Sequence, residues 1–157
     1  MQWLSAEERA AWLATAALTM RLPHALDAQL QAGQGLSFFE YMIMAVLSER
    51  PDRTLRMGGI AAATSASPSR LSHAVRRLED QGYLRRDRLP GAGRRTSATL
   101  TDLGYGRVVA AAPGHVRRVR ELLIDAVGPA ELAVLRSIGE TVLKRIDPDD
   151  TCLDGLG

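Results

Sequence analysis

Cysteine is almost absent from the 157 residues, with Cys152 the single example. That excludes an intrachain disulfide and a thiolate metal cluster. His24, His73 and His115 stand far apart with no ligand at metal-binding spacing, so no metal site is expected. No apolar run reaches the length of a membrane-spanning helix, and Glu7 and Glu8 stand where a signal peptide would be basic and then apolar. The expectation is a cytoplasmic protein without a membrane partner. Also missing are a P-loop, a nucleophile beside a base, and paired carboxylates, so neither enzymatic activity nor a cofactor is expected. Lysine is as scarce as cysteine: Lys144 is the only one, and arginine supplies the rest of the 20 basic residues.

What is present is an ordinary globular composition, 46% hydrophobic and 24% charged, enough for one domain with a real core. The net charge of +2 is unevenly spread. Residues 51–100 hold ten arginines against four acids, a balance of +6, while the segments on either side are each at −2. A basic block on a neutral scaffold is the pattern of a phosphate-facing surface, although a solvated face has the same composition.

Ser5, with Glu7 and Glu8 in the first turn, starts a long helix whose Leu18, Leu22, Leu26 and Leu30 share one stripe. Pro23 predicts a bend in it, and Gly33 and Gly35 its end. Ser37 and Glu40 form a capping-box pattern before Phe38 to about Ser48, which is apolar nearly all round and therefore central. Leu55 to Ala63 reads as a short third helix. Thr64-Ser65-Ala66 follows as a turn, and Ser67-Pro68 opens a fourth helix that Gly82 closes. Tyr83 to Arg88 and Thr96 to Thr101 read as two strands joined by a Gly/Arg-rich tip. A helical segment from Asp102 to Ala126, broken at Pro113-Gly114, and a last helix from Pro129 to Ile146 complete a mainly α chain.

The fourth helix carries the functional argument. Leu71, Ala74, Val75 and Leu78 fall on one face at i, i+3, i+4, i+7 spacing. Ser67, Ser69, Arg70, Ser72, His73, Arg76 and Arg77 supply short polar and basic side chains elsewhere, which suits close approach to base edges and phosphates. Arg86, Arg88, Arg94 and Arg95 extend the basic patch along the hairpin, where a tip arginine suits a minor groove. Some hairpin arginines are expected to pair with Glu79, Asp80 or Asp87 instead. Short helix, turn, capped helix and basic hairpin together make a winged helix-turn-helix.

Three blocks of residues carry a resemblance: Ser67-Pro68-Ser69-Arg70-Leu71-Ser72-His73-Ala74-Val75-Arg76-Arg77-Leu78-Glu79, then Gly82-Tyr83-Leu84-Arg85-Arg86, then Ala98-Thr99-Leu100-Thr101-Asp102-Leu103-Gly104. At this spacing they resemble the MarR family of bacterial transcription regulators, and the helix order extends the likeness over nearly the whole chain. The resemblance implies a homodimeric winged-helix repressor, sometimes an activator, on a pseudo-palindromic double-stranded DNA operator. Residues 1–36 would be an N-terminal dimerisation helix, 37–102 the DNA-binding lobe with a two-stranded β wing, and 103–157 C-terminal dimerisation helices and a tail. It also places a ligand pocket between the dimerisation helices and the lobe. The family's wing carries an Asp-Arg pair, whereas the tip here, Gly91-Ala92-Gly93-Arg94-Arg95, has no acid, and Arg94 takes the place of the wing arginine.

The terminal helices carry more apolar surface than one small winged domain can cover, which predicts a dimer interface. Trp3, Leu4, Trp12, Leu122, Leu132, Leu135, Ile138 and Ile146 are its candidates. For an effector, Trp12, Arg21, His24, Tyr41, Met44 and Met57 are the candidate lining of a pocket for a small aromatic or phenolic anion, though such residues also serve as plain core. Repression relieved by such a molecule is the expected function. The alternative is a winged-helix module for protein contacts or nonspecific architectural DNA binding.

Overall fold

Ser5 starts the chain's first helix as its residues dictate. In the computed structural model, which describes residue 1 and residues 3–88 and 96–148, its hydroxyl accepts from the Glu8 amide while Glu8 accepts from the Ser5 amide. Helix α1 (Ala6–Gln34) continues through Pro23 and stops at Gly35, whose φ of 65° is the left-handed conformation that glycine adopts without strain. Ser37 and Glu40 make the second capping box and open α2 (Phe38–Ser48). The carboxylate of Asp27 accepts from the Phe38 amide at 2.8 Å, fixing the first turn of α2 to α1.

α2 is the central element, as its composition predicts. Ile43, Met44 and Leu47 are fully enclosed, and Leu30, Ile60, Leu71, Val75, Leu78, Leu100 and Val108 join them in one cluster. At roughly 1.5–3 kcal/mol for each such side chain, this cluster is the main favourable term in folding.

Two expectations are corrected. The stretch read as one short helix from Leu55 divides into a strand, β1 (Thr54–Arg56), and α3 (Met57–Ala63). β1 pairs antiparallel with β3 (Thr96–Leu100), which pairs in turn with β2 (Leu84–Arg88). The two expected wing strands are present as the β2–β3 pair, and β1 adds a third strand to their sheet in the order β1-β3-β2. Three residues show no period, and only the distant partner strand, with Thr54 and Thr99 hydroxyls 2.9 Å apart, defines this one. The second correction concerns Pro113-Gly114, where no break occurs: α5 (Asp102–Val119) runs through it. Pro113 lies on an exposed face, where water can satisfy the carbonyl that its missing N–H leaves free. A π-helical turn, Arg120–Ile124, and α6 (Pro129–Ile146) follow. No residue of α6 is buried. Among the described residues no helix is long and apolar enough to cross a membrane.

α4 (Pro68–Asp80) lies between α3 and β2, with Ser67 as its cap. Thr101 caps α5: its hydroxyl accepts from the Gly104 amide and donates to the Gly82 carbonyl at 2.7 Å. That bond seats the first turn of α5 on the end of the α4–β2 connection.

His115 of α5 packs against two rings of α2, with centroids 5.8 Å from Phe38 and 4.6 Å from Tyr41. Its Nδ1 is buried without a hydrogen bond, and burial holds its pKa below the usual 6.5. The unfolded chain therefore binds the proton more readily. This contribution to stability is complete above pH 6.5 and declines as pH falls from there through the lower folded value. Melting temperatures from pH 7.5 to 5 should fall more steeply for the wild type than for His115→Gln; parallel profiles would assign the loss to other groups.

Candidate nucleic-acid interface

Helix α4 presents the two faces its sequence predicts. Leu71, Ala74, Val75 and Leu78 are buried, while Ser69, Arg70, His73, Arg76 and Arg77 are exposed and Ser72 is half-buried. Ser67 is occupied as the cap, its hydroxyl accepting from the Arg70 amide at 3.4 Å, with the Ser69 hydroxyl also 3.4 Å away.

The arginines of this surface differ in what they are free to do. Arg70 lays its guanidinium 4.1 Å above the ring of Phe39. Arg77 reaches Glu40 of α2 at 3.0 Å. Arg86 is bound twice to Glu79, its backbone N–H donating at 3.0 Å and its guanidinium forming an ion pair. Arg85 pairs with Asp87 at 3.0 Å, so the expected pairing of hairpin arginines with Glu79 and Asp87 is present. Among the described residues Arg76 has no ion-pair partner, and with Ser69 and His73 it forms the part of the helix free to face a ligand. The side chain of Arg88, and Arg94 and Arg95 at the tip with the rest of the acid-free loop, lie outside the described residues.

Sequence reasoning missed Phe39 and Glu40 as partners of this surface. The capping box identified Glu40 correctly, but nothing local signals that its second carboxylate oxygen faces α4.

The six candidate effector residues occupy different settings. Trp12 and Arg21 are exposed on α1, Tyr41 and Met44 lie in the core, and Met57 is half-buried against it. His24 alone among them lines a groove of about 550 Å³ between α1, the first turn of α2 and α4, where it joins Asp27, Phe38, Arg70, His73 and Arg77.

The candidate interface residues are arranged more coherently. Trp3, Leu4, Trp12, Ile138 and Ile146 are exposed, Trp3 to 82%. Leu122, Leu132 and Leu135 are half-buried. Leu122, Leu135 and Ile138 line one apolar groove with Leu18 and Val134, between α1 and the C-terminal helices.

The family model described as MarR family matches residues 34–95. No curated protein matches the chain. Sco3205, a MarR family transcriptional regulator from Streptomyces coelicolor crystallised in complex with DNA, is 38% identical, with a TM-score of 0.90 over 95% of this chain and 97% of that one. AbsC, a MarR family transcriptional regulator from the same organism, is 32% identical, with a TM-score of 0.88 over 95% of this chain and 100% of that one. NadR, crystallised with 4-hydroxyphenylacetate, shares the fold at 17% identity, with a TM-score of 0.64 over 92% of this chain and 96% of that one. With 38% identity to a MarR family regulator along almost its whole length and a TM-score of 0.90, the chain belongs to the MarR family of transcriptional regulators.

Proposed function

We propose that the protein is a cytoplasmic, homodimeric repressor that reads a pseudo-palindromic operator in double-stranded DNA and is released by a small aromatic or phenolic anion. In this reading residues 1–36 and 103–157 join two subunits and residues 37–102 form the DNA-binding lobe. The observation that carries it is the division of α4 into a buried apolar face and an exposed face on which Ser69, His73 and Arg76 stand clear. Side chains so placed, on a helix that a major groove admits, suit base-edge contact. The Sco3205 complex with DNA supports the same assignment.

A gel shift at fixed salt, comparing the region upstream of the protein's own gene with random duplex, tests it. Preference for the upstream duplex is expected; equal binding of both would favour an architectural role. Arg76→Ala should lower operator affinity by about 1–3 kcal/mol while leaving random-duplex binding nearly unchanged, the signature of a lost base contact. Equal losses on the two duplexes would remove Arg76 from sequence reading.

The effector reading rests on the groove between α1, α2 and α4, in which His24, Arg70, His73 and Arg77 surround the Phe38 and Phe39 rings. Arg70, which has no carboxylate partner among the described residues, sets a cation beside this aromatic surface, a pairing that suits an aromatic anion, and NadR holds one, 4-hydroxyphenylacetate. A ligand there relieves repression only by binding the DNA-free conformation more tightly.

A further inference from the structure

We infer that Arg77 and Glu40 are positioning residues for DNA reading: their ion pair, with Arg70 seated on Phe39, sets the rotation of α4 and so aims Ser69, His73 and Arg76. The inference rests on the DNA-binding reading above. It reassigns Arg77, a DNA contact by sequence, to an internal role.

The geometry is a two-point clamp. Arg70 and Arg77 lie seven residues apart, two helical turns, and so occupy one stripe of α4. Their partners, Phe39 and Glu40, are consecutive in the first turn of α2. Glu40 is only 2% exposed. One of its oxygens accepts from the amide and hydroxyl of Ser37, both at 2.8 Å. The other is buried with no hydrogen bond, and the Arg77 guanidinium 3.0 Å away supplies its countercharge. Moving Arg77 to a phosphate would strand that carboxylate in the interior, where an unpaired charge is costly. The charge of Arg77 is therefore committed inside the protein, unlike that of Arg76. The clamp has a firm base, because Asp27 of α1 holds the Phe38 amide beside it.

A phosphate contact and a positioning residue differ in their salt dependence. The test measures binding to a duplex selected by the wild-type protein from a randomised pool, and to random duplex, across a salt series, with melting temperatures alongside. Arg77→Met should weaken the selected duplex about tenfold, leave random duplex within about twofold, and keep the salt slope. Arg77→Lys, which retains the charge, should restore most of the loss. Glu40→Gln, which keeps the Ser37 cap but removes the charge that holds Arg77, should weaken the selected duplex in the same way.

A salt slope shallower by about one in Arg77→Met, with equal loss on both duplexes, would make Arg77 a phosphate contact and overturn the inference. Glu40→Gln binding as well as or better than wild type would overturn it too. If Arg77→Met does not fold at the assay temperature, Glu40→Gln and Arg77→Lys decide the matter. Failure of the wild-type protein to prefer any duplex overturns the DNA-binding reading itself, a separate outcome.

Discussion

Gly104→Ala is expected to destabilise the protein by about 3 kcal/mol, the upper range for overpacking a core, and to lower the melting temperature by roughly 6–12 °C for a chain of this size. A Cβ at this position would lie 2.2 Å from the Tyr83 carbonyl oxygen, 2.7 Å from Leu100 Cδ1 and 3.0 Å from the Tyr83 carbonyl carbon. Two of these atoms are backbone, so no rotamer change relieves the contact. They cannot withdraw easily, because the Tyr83 carbonyl accepts from the Thr101 amide at 3.0 Å. The same turn of α5 is held by the Thr101 cap. Gly106, two residues on in the same helix, is the control: a Cβ there meets nothing within 4 Å. Gly106→Ala should stabilise by about 0.5–1 kcal/mol through helix propensity. Differential scanning calorimetry of the two variants tests the pair, and a Gly104→Ala melting temperature within a degree of wild type would refute the close-packing argument.

The second large effect concerns α6. An eighteen-residue amphipathic helix with no buried residue leaves its apolar stripe in water, which a second subunit would correct. Val134 and Ile138, one helical turn apart, are 57% and 54% exposed and line the groove with Leu18 and Leu122. The double substitution Val134→Asp/Ile138→Asp should convert the proposed dimer to monomer at micromolar concentration, measured by light scattering after gel filtration. Operator affinity should fall by a factor of about 10²–10⁴, because each half-site is then bound without its linked neighbour. A variant that remains dimeric would move the interface to another surface.

How much of this the sequence disclosed depended on the range of each signal. α4 was legible in full because its cap, its Pro68 and its apolar period are all local, and the two capping boxes are local for the same reason. β1 was not, since its three residues become a strand only through β3. Pro113 misled because proline breaks a helix by its effect on neighbouring groups, and whether water can serve those groups depends on the fold. At the site, residue type identified a basic surface correctly but could not separate Arg76 from Arg77. That distinction depends on Glu40, which is remote in sequence and presents a local reason for its presence. The effector candidates are less legible for a related reason: aromatic and thioether positions on α2 are equally good core, and Tyr41 and Met44 are buried there.

The double hold of Glu79 on Arg86 fixes more than an ion pair. Because one carboxylate grips both the backbone and the side chain of β2, the end of α4 is tied to the root of the wing at two points. On the DNA-binding reading proposed above, that tie would hold the distance from α4 to the wing root constant within one subunit. Any tolerance of the proposed dimer for operators of different length must come from the joint between subunits, so substitutions that loosen that joint should broaden half-site spacing without changing the sequence read in either half.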